Sequence, residues 1–325
     1  MNPAFSVIFL TTLIGVGQGL FLALYTGESY AIINVLPTQQ QDFYVWGSAI
    51  SVGFLIAGLV SSIFHLGHPE RAWRTATMWR TSWLSREVII LPAVIGAVIV
   101  YGAVHALGWD LTMFGIKTGV TGDLTLIIGL GGVIVTFLLF LCTGMIYACI
   151  KFLQEWATPL TVINYTLLGV ASGFTFAAAF AAYKAPGLVN FYAGWAIIIT
   201  VAAFITRVAS LIRNSKIRSK SSLKTAIGVR HKKIKQTAMG FMGGSFNTRE
   251  YFHGMSIMFM KSIKWIFLAL VFVVPVILLS MAISQQNAGM LIAAFATQYI
   301  GLIAERWFFF AQANHPQNLY YQTVG

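Results

Sequence analysis

The chain has 325 residues, of which 58% are hydrophobic and 9% charged, with a formal net charge of +12 and only two cysteines. Soluble domains carry roughly 25% charged residues, so an aqueous globule is excluded. Two cysteines also exclude an iron–sulfur cluster held by this chain, since such a cluster usually takes four thiolates.

The opening residues, MNPAFSVIFLTTLIGVGQGL, lack a basic n-region and a small-residue cleavage site. They read as a retained first span over 5–26, not a removed signal. Apolar stretches ended by charges, Pro or polar Gly-rich segments predict seven more spans, at 44–66, 87–108, 124–150, 160–183, 190–212, 264–284 and 288–311. Their lengths suit the roughly 20 residues that cross a hydrocarbon core. Pro92 and Pro275 fall inside spans, where neighbouring helices can satisfy the carbonyls they free. Cys142 and Cys149 share the fourth span, roughly 10 Å apart along a helix axis. That is too far for a disulfide, and both read as small buried side chains. Arg207, near the end of the sixth span, reads as a snorkelling side chain. The expectation is a single all-α membrane domain, 1–325, of eight transmembrane helices.

Lys and Arg are spread unevenly. They concentrate in 67–86 and in a basic loop, 213–263, that includes RNSKIRSKSSLK and RHKKIK, while the opposite face has only Lys117 and Lys184. Cytoplasmic loops collect basic residues, which predicts both termini and both loops on the cytoplasmic side of a bacterial inner membrane. Attachment to a bilayer argues against nucleic acid as partner. Anionic lipid headgroups, worth about 1 kcal/mol per basic residue, and an acidic soluble partner fit better. The following MGFMGGSFNTREYFHG is rich in Gly and aromatics and reads as an ordered element on the membrane face.

Chemistry concentrates between the second and third spans, in SSIFHLGHPERAWRTATMWRTSWLSREVIIL. Gly67 and Pro69 break the helix after His65, and a short amphipathic helix in the interface is expected beyond them. Ser82 or Ser85 suits the cap of the next helix. A positive-inside anchor with interfacial aromatics accounts for Arg74, Arg80 and the Trp residues. It accounts less well for His65 and Glu87, ionisable groups placed where helices meet the inner face. A quinone takes up two electrons and two protons, and each of its ring oxygens needs a donor and a route to water. His65 can donate and accept near neutral pH, a partly buried Glu87 can pass protons, and Arg71 can hold developing negative charge.

The sequence resembles the DmsC family, named for the membrane anchor of dimethyl sulfoxide reductase. The matching residues are His65-Leu66-Gly67-His68-Pro69, Arg71-Ala72 and Ser82-Trp83-Leu84-Ser85-Arg86-Glu87. A second match runs Glu305-Arg306-Trp307-Phe308-Phe309-Phe310, then Asn318-Leu319-Tyr320-Tyr321. The resemblance implies an anchor that binds quinone without haem. It also implies a ferredoxin-like iron–sulfur subunit docked on the loop side and a catalytic subunit carrying a molybdenum bis-pterin guanine dinucleotide. Carried onto this chain, the quinone site falls on His65 and Glu87, with Gly67 and Arg71 beside them and Trp83, Ser85 and Arg86 flanking. His68 departs from the Arg that many relatives carry. Within the family, the cytoplasmic loop and the whole chain look like the SoeC-type anchors of cytoplasmic sulfite dehydrogenases. A dimethyl sulfoxide-type reductase anchor is the alternative.

Three other readings compete. A haem-binding cytochrome b needs facing axial His residues, yet His65 and His105 sit at opposite ends of their spans and the other His lie outside the spans. A transporter places ionisable groups at mid-membrane, whereas these spans read as nearly free of charge. A purely structural anchor leaves quinone chemistry elsewhere. Glu305 and Arg306 are candidates for a proton route or an ion pair, and an Arg of the 67–86 loop is a candidate partner for Glu305.

Overall fold

In the computed structural model, which describes residues 1–111, 123–218, 221–238 and 245–322, helix α1 (Phe5–Ile32) runs through the middle of the molecule. Its Ile8, Val16, Leu20, Phe21 and Leu24 are fully buried. Glycine sets how closely its neighbour approaches. Gly15 and Gly19 of α1 face Gly169 and Gly173 of α5 (Pro159–Lys184), where an added Cβ would strike the partner helix's backbone. Both pairs are spaced four residues apart, so two small-residue stripes lie against each other. Packing of this kind drives helix association where lipid removes the hydrophobic incentive.

Around α1 and α5 stand α2 (Gln41–Ile63), α3 (Trp83–Leu107), α4 (Asp123–Ala148), α6 (Val189–Ser215), α7 (Ile257–Gln285) and α8 (Ala288–Ala311). All eight are long and apolar enough to cross a membrane, and the described residues contain no strand. The all-α, eight-span expectation therefore holds, with shifted bounds. Helix α1 continues to Ile32 because its polar end is internally satisfied: Thr26 and Ser29 hydroxyls donate to the carbonyls of Leu22 and Tyr25. Helix α7 starts at Ile257, so the last part of the 213–263 stretch is helical.

One turn of α7, Ala269–Val273, is π-helical and precedes Pro275. Pro275 has no N–H for the carbonyl of Val271, and Gln298 of α8 donates to that oxygen at 3.3 Å instead. The neighbouring helix repairs the proline break, as expected for a membrane bundle.

Alternation of the spans gives the bundle two ends. At one end lies the 64–82 loop, and there the N-terminus, 149–158, 245–256 and the C-terminal tail are tied together. Asn2 N–H donates to Glu250 O at 2.8 Å, Trp156 Nε1 to Phe309 O at 2.9 Å, and Asn318 Nδ2 to Tyr251 O at 3.0 Å. This end carries the basic loops. Of 239–254, residues 239–244 lie outside the described residues, while Phe246–Glu250 is a short helix. The opposite end bears the connections 33–40, 108–111, 185–188 and 286–287, and Lys117 lies outside the described residues.

Cys142 is buried, but Cys149 is exposed at the end of α4, which corrects the expectation that both lie inside. Arg207 is corrected as well. It is 1% exposed and does not snorkel.

Candidate functional site

The segment between α2 and α3 folds as a 3₁₀ helix, Pro69–Met78, rather than an α-helix. Ser82 then caps α3, its Oγ accepting from Ser85 N–H at 3.4 Å. Arg86 fastens the loop's exit, donating through Nε to Trp79 O at 2.9 Å and through Nη2 to Arg80 O at 2.8 Å, with its guanidinium 4.2 Å from the Trp83 ring. Ser85 is buried and Trp83 half-buried.

Just past the first turn of α3, Glu87 points inward. The side chain is 8% exposed and accepts a hydrogen bond from the Thr143 hydroxyl of α4 at 2.5 Å. It lines a cavity of about 20 Å³ with Thr11 and Thr12 of α1, Tyr165 of α5 and Arg306 of α8. That volume accommodates about one water with several polar partners.

Behind the cavity lies a charged cluster that the sequence did not pair correctly. Arg306 stacks 3.6 Å above the Tyr165 ring, and its Nη1 is 3.1 Å from Glu305 Oε2. Glu305 Oε1 lies 2.8 Å from Arg207 Nε. Glu305 thus pairs with Arg207 and Arg306, and not with an Arg of the 67–86 loop. All three are buried, with Glu305 at 0% exposure. The short distances lack hydrogen-bond alignment, so charge attraction rather than directed bonding holds the cluster. These few charges within the spans are thus buried and paired between helices at this end.

His65 and Arg71, in contrast, are exposed on the loop. The surrounding loop still strips enough water from the His65 ring to lower its pKa from the ordinary 6.5. Arg71 Nε lies 3.7 Å from Glu70 Oε1, which also meets His68 Nδ1 at 3.0 Å. Gly67 has open space where a Cβ would stand. No hydrogen bond or ion pair among the described residues links His65 or Arg71 to Glu87. The carboxylate faces the cavity, and the other two face outward. Around them Phe64 (81% exposed), Trp73, Met78 and Trp79 form an apolar aromatic surface. Exposed large apolar side chains grouped on one loop suit lipid or partner contact.

A second polar cluster was missed altogether. At the opposite end of the bundle, buried Glu28 of α1 accepts from Tyr101 OH of α3 at 2.6 Å and from Thr125 Oγ1 of α4 at 2.5 Å. His105 Nε2 lies 3.3 Å from its Oε1. The available signal was Tyr101 and His105, one helical turn apart on α3 and so on one face. No cluster of three His, Cys, Asp or Glu able to hold a metal occurs among the described residues.

Comparison with known proteins agrees with this architecture. The family model described as DMSO reductase anchor subunit (DmsC) matches residues 1–312. The chain is also 53% identical over 324 residues to a sulfite dehydrogenase subunit of Allochromatium vinosum, with 100% of each chain covered.

Proposed function

The chain belongs to the family of DMSO reductase anchor subunits (DmsC), and from that premise we propose that it is the quinone-reacting anchor of a molybdenum/iron–sulfur complex. Its full-length similarity to a sulfite dehydrogenase subunit supports sulfite as the electron source and membrane quinone as the acceptor. On this reading a ferredoxin-like subunit docks on the basic end, beneath a catalytic subunit with molybdenum bis-pterin guanine dinucleotide. The charge asymmetry of the loops supports the basic end as the cytoplasmic face, with both termini there. A topology reporter fused at residue 230 should therefore report cytoplasm, and a periplasmic signal would defeat the orientation.

One observation carries the quinone reading: Glu87 is a buried carboxylate set between a water-sized cavity and an exposed loop of His, Arg and aromatics. Quinone, when bound, accepts two electrons and two protons. The cavity is too small for its ring, whereas the outer aromatic surface has the area and the donors. The docked iron–sulfur subunit would close that surface. His65 donates a hydrogen bond to one ring oxygen, and Arg71 stabilises negative charge as it develops there. Glu87 passes protons between this region and cavity water, with Thr143 orienting its carboxylate. Arg86, Ser85 and Trp83 position the loop, and Gly67 leaves the approach to His65 uncrowded.

His65→Ala in the purified complete complex tests the loop. Quinone reduction should fall about a hundredfold, within the range for loss of a general acid, with subunit composition unchanged. A protonated imidazole is the better donor to an oxygen gaining charge, and the His65 pKa is lowered below 6.5. Wild-type turnover should accordingly rise as pH falls through a midpoint under 6.5, and this limb should vanish in the variant. Turnover and profile identical to wild type would leave only a structural anchor.

A further inference from the structure

We propose that Glu28 and His105, with Tyr101 and Thr125, form a proton-exchange site serving the end of the bundle opposite the 64–82 loop. A cavity of about 340 Å³ leads from Glu28 and His105 out to Asn34, Gln39, Gln41 and Asp110 on the loops of that end. At about 30 Å³ per molecule, it has room for on the order of ten waters. The cluster therefore has a wet side.

The groups facing Glu28 come from every helix around it. They are Tyr101 and His105 of α3, Thr125 of α4, Tyr44 of α2, whose ring stacks on His105 at 4.5 Å, and Tyr192 of α6, whose hydroxyl lies against Gly27. Asp110 stands farther out in the same cavity, and no Lys or Arg is among its described lining residues. Among the described residues, a proton on His105 or one on Glu28 itself is what can balance the buried carboxylate. Three neighbouring buried polar atoms, His105 Nε2, Tyr192 OH and Ser48 Oγ, have no hydrogen-bond partner among the described residues. Such atoms are ordinarily satisfied by ordered water, and His105 lines the water-accessible cavity.

Exchange is a simple transfer. A hydronium in the cavity gives its proton to the carboxylate or to the imidazole and leaves as water, and the reverse step returns it. On its inner side the cluster meets an aromatic contact. Phe21, fully buried, packs edge-on against Tyr101 with ring centroids 5.4 Å apart. Farther inward along α1, Gln18 donates to Thr136 O and lines the cavity at Glu87. The wet cavity opens at the 33–40 end, and the proposed exchange is with that face. An apolar ring separates that face from the cavity at Glu87.

A merely structural hydrogen-bond cluster does not titrate from one side, and this distinguishes the two roles. The complete complex, reconstituted with uniform orientation in proteoliposomes, is followed by infrared difference spectroscopy while the pH of each compartment is stepped separately. The expected result is a carboxyl C=O band that follows the pH only of the compartment touching the 33–40 end. It should be lost in Glu28→Gln, which preserves shape, and its midpoint should move in Tyr101→Phe. A spectrum identical in wild type and Glu28→Gln would overturn the proposal, as would a band that follows the basic-end compartment or an unmoved Tyr101→Phe midpoint. The readout needs no quinone turnover, so failure of the quinone reading leaves it intact.

Discussion

Glu87→Gln is expected to lower quinone turnover of the complete complex by about two to four orders of magnitude, the range for removing a positioned proton carrier. The reason is chemical and not steric. Gln fills the same volume beside Thr143 and can still accept its hydroxyl proton through the amide oxygen, so packing of α3 against α4 persists. What it cannot do is take up a proton from the cavity and release it toward the loop. Steady-state quinone reduction, measured beside the subunit stoichiometry of the purified complex, separates the outcomes. Normal assembly with lost turnover supports the site, whereas normal turnover would remove Glu87 from the mechanism.

The second large effect concerns stability. Glu305→Gln should destabilise the bundle by about 3–5 kcal/mol, the usual cost of breaking a buried ion pair from one side. Arg207→Met should cost less. Glu305 is the carboxylate shared by Arg207 and Arg306, so its loss strands two buried guanidiniums, while loss of Arg207 leaves Glu305 still paired. The double variant Arg207→Met/Glu305→Gln should fall between them, because one of the two stranded charges is gone. Thermal unfolding of the purified complex in detergent ranks the three. Equal melting temperatures for Glu305→Gln and wild type would show that the cluster contributes nothing net.

The charged cluster also shows where sequence reading stops. Eight spans were legible because apolar length is a local property, and Ser82 and Glu87 were legible because a cap and the start of its helix lie within a few residues. The partner of Arg207 was not, since α6 and α8 are distant in sequence and only packing brings residues 207 and 305 together. Arg207 sits close enough to its helix end that a path to the interface looked open, yet Phe267 and Glu305 enclose it. Glu28 was lost differently. The run Thr26-Gly27-Glu28-Ser29 resembles the polar end of a span, whereas hydroxyl bonds to the preceding turn carry the helix to Ile32. Its three partners come from α3 and α4, and no pattern within α1 announces them. The inward aim of Glu87, against the outward aim of His65 and Arg71, depends on the helix's rotation about its own axis. Nearness in the motif gave no hint of it.

The central position of α1 has a consequence in time. A ribosome completes α1 before any of the helices that enclose it. Gln18 waits for Thr136 of α4, Glu28 for Tyr101 of α3 and Thr125 of α4, and Gly19 for Gly173 of α5. Helix α2 can cover one side of it at once, through Ser51 donating to Gly17 O. The rest of its burial is completed only after more than half of the chain has followed it.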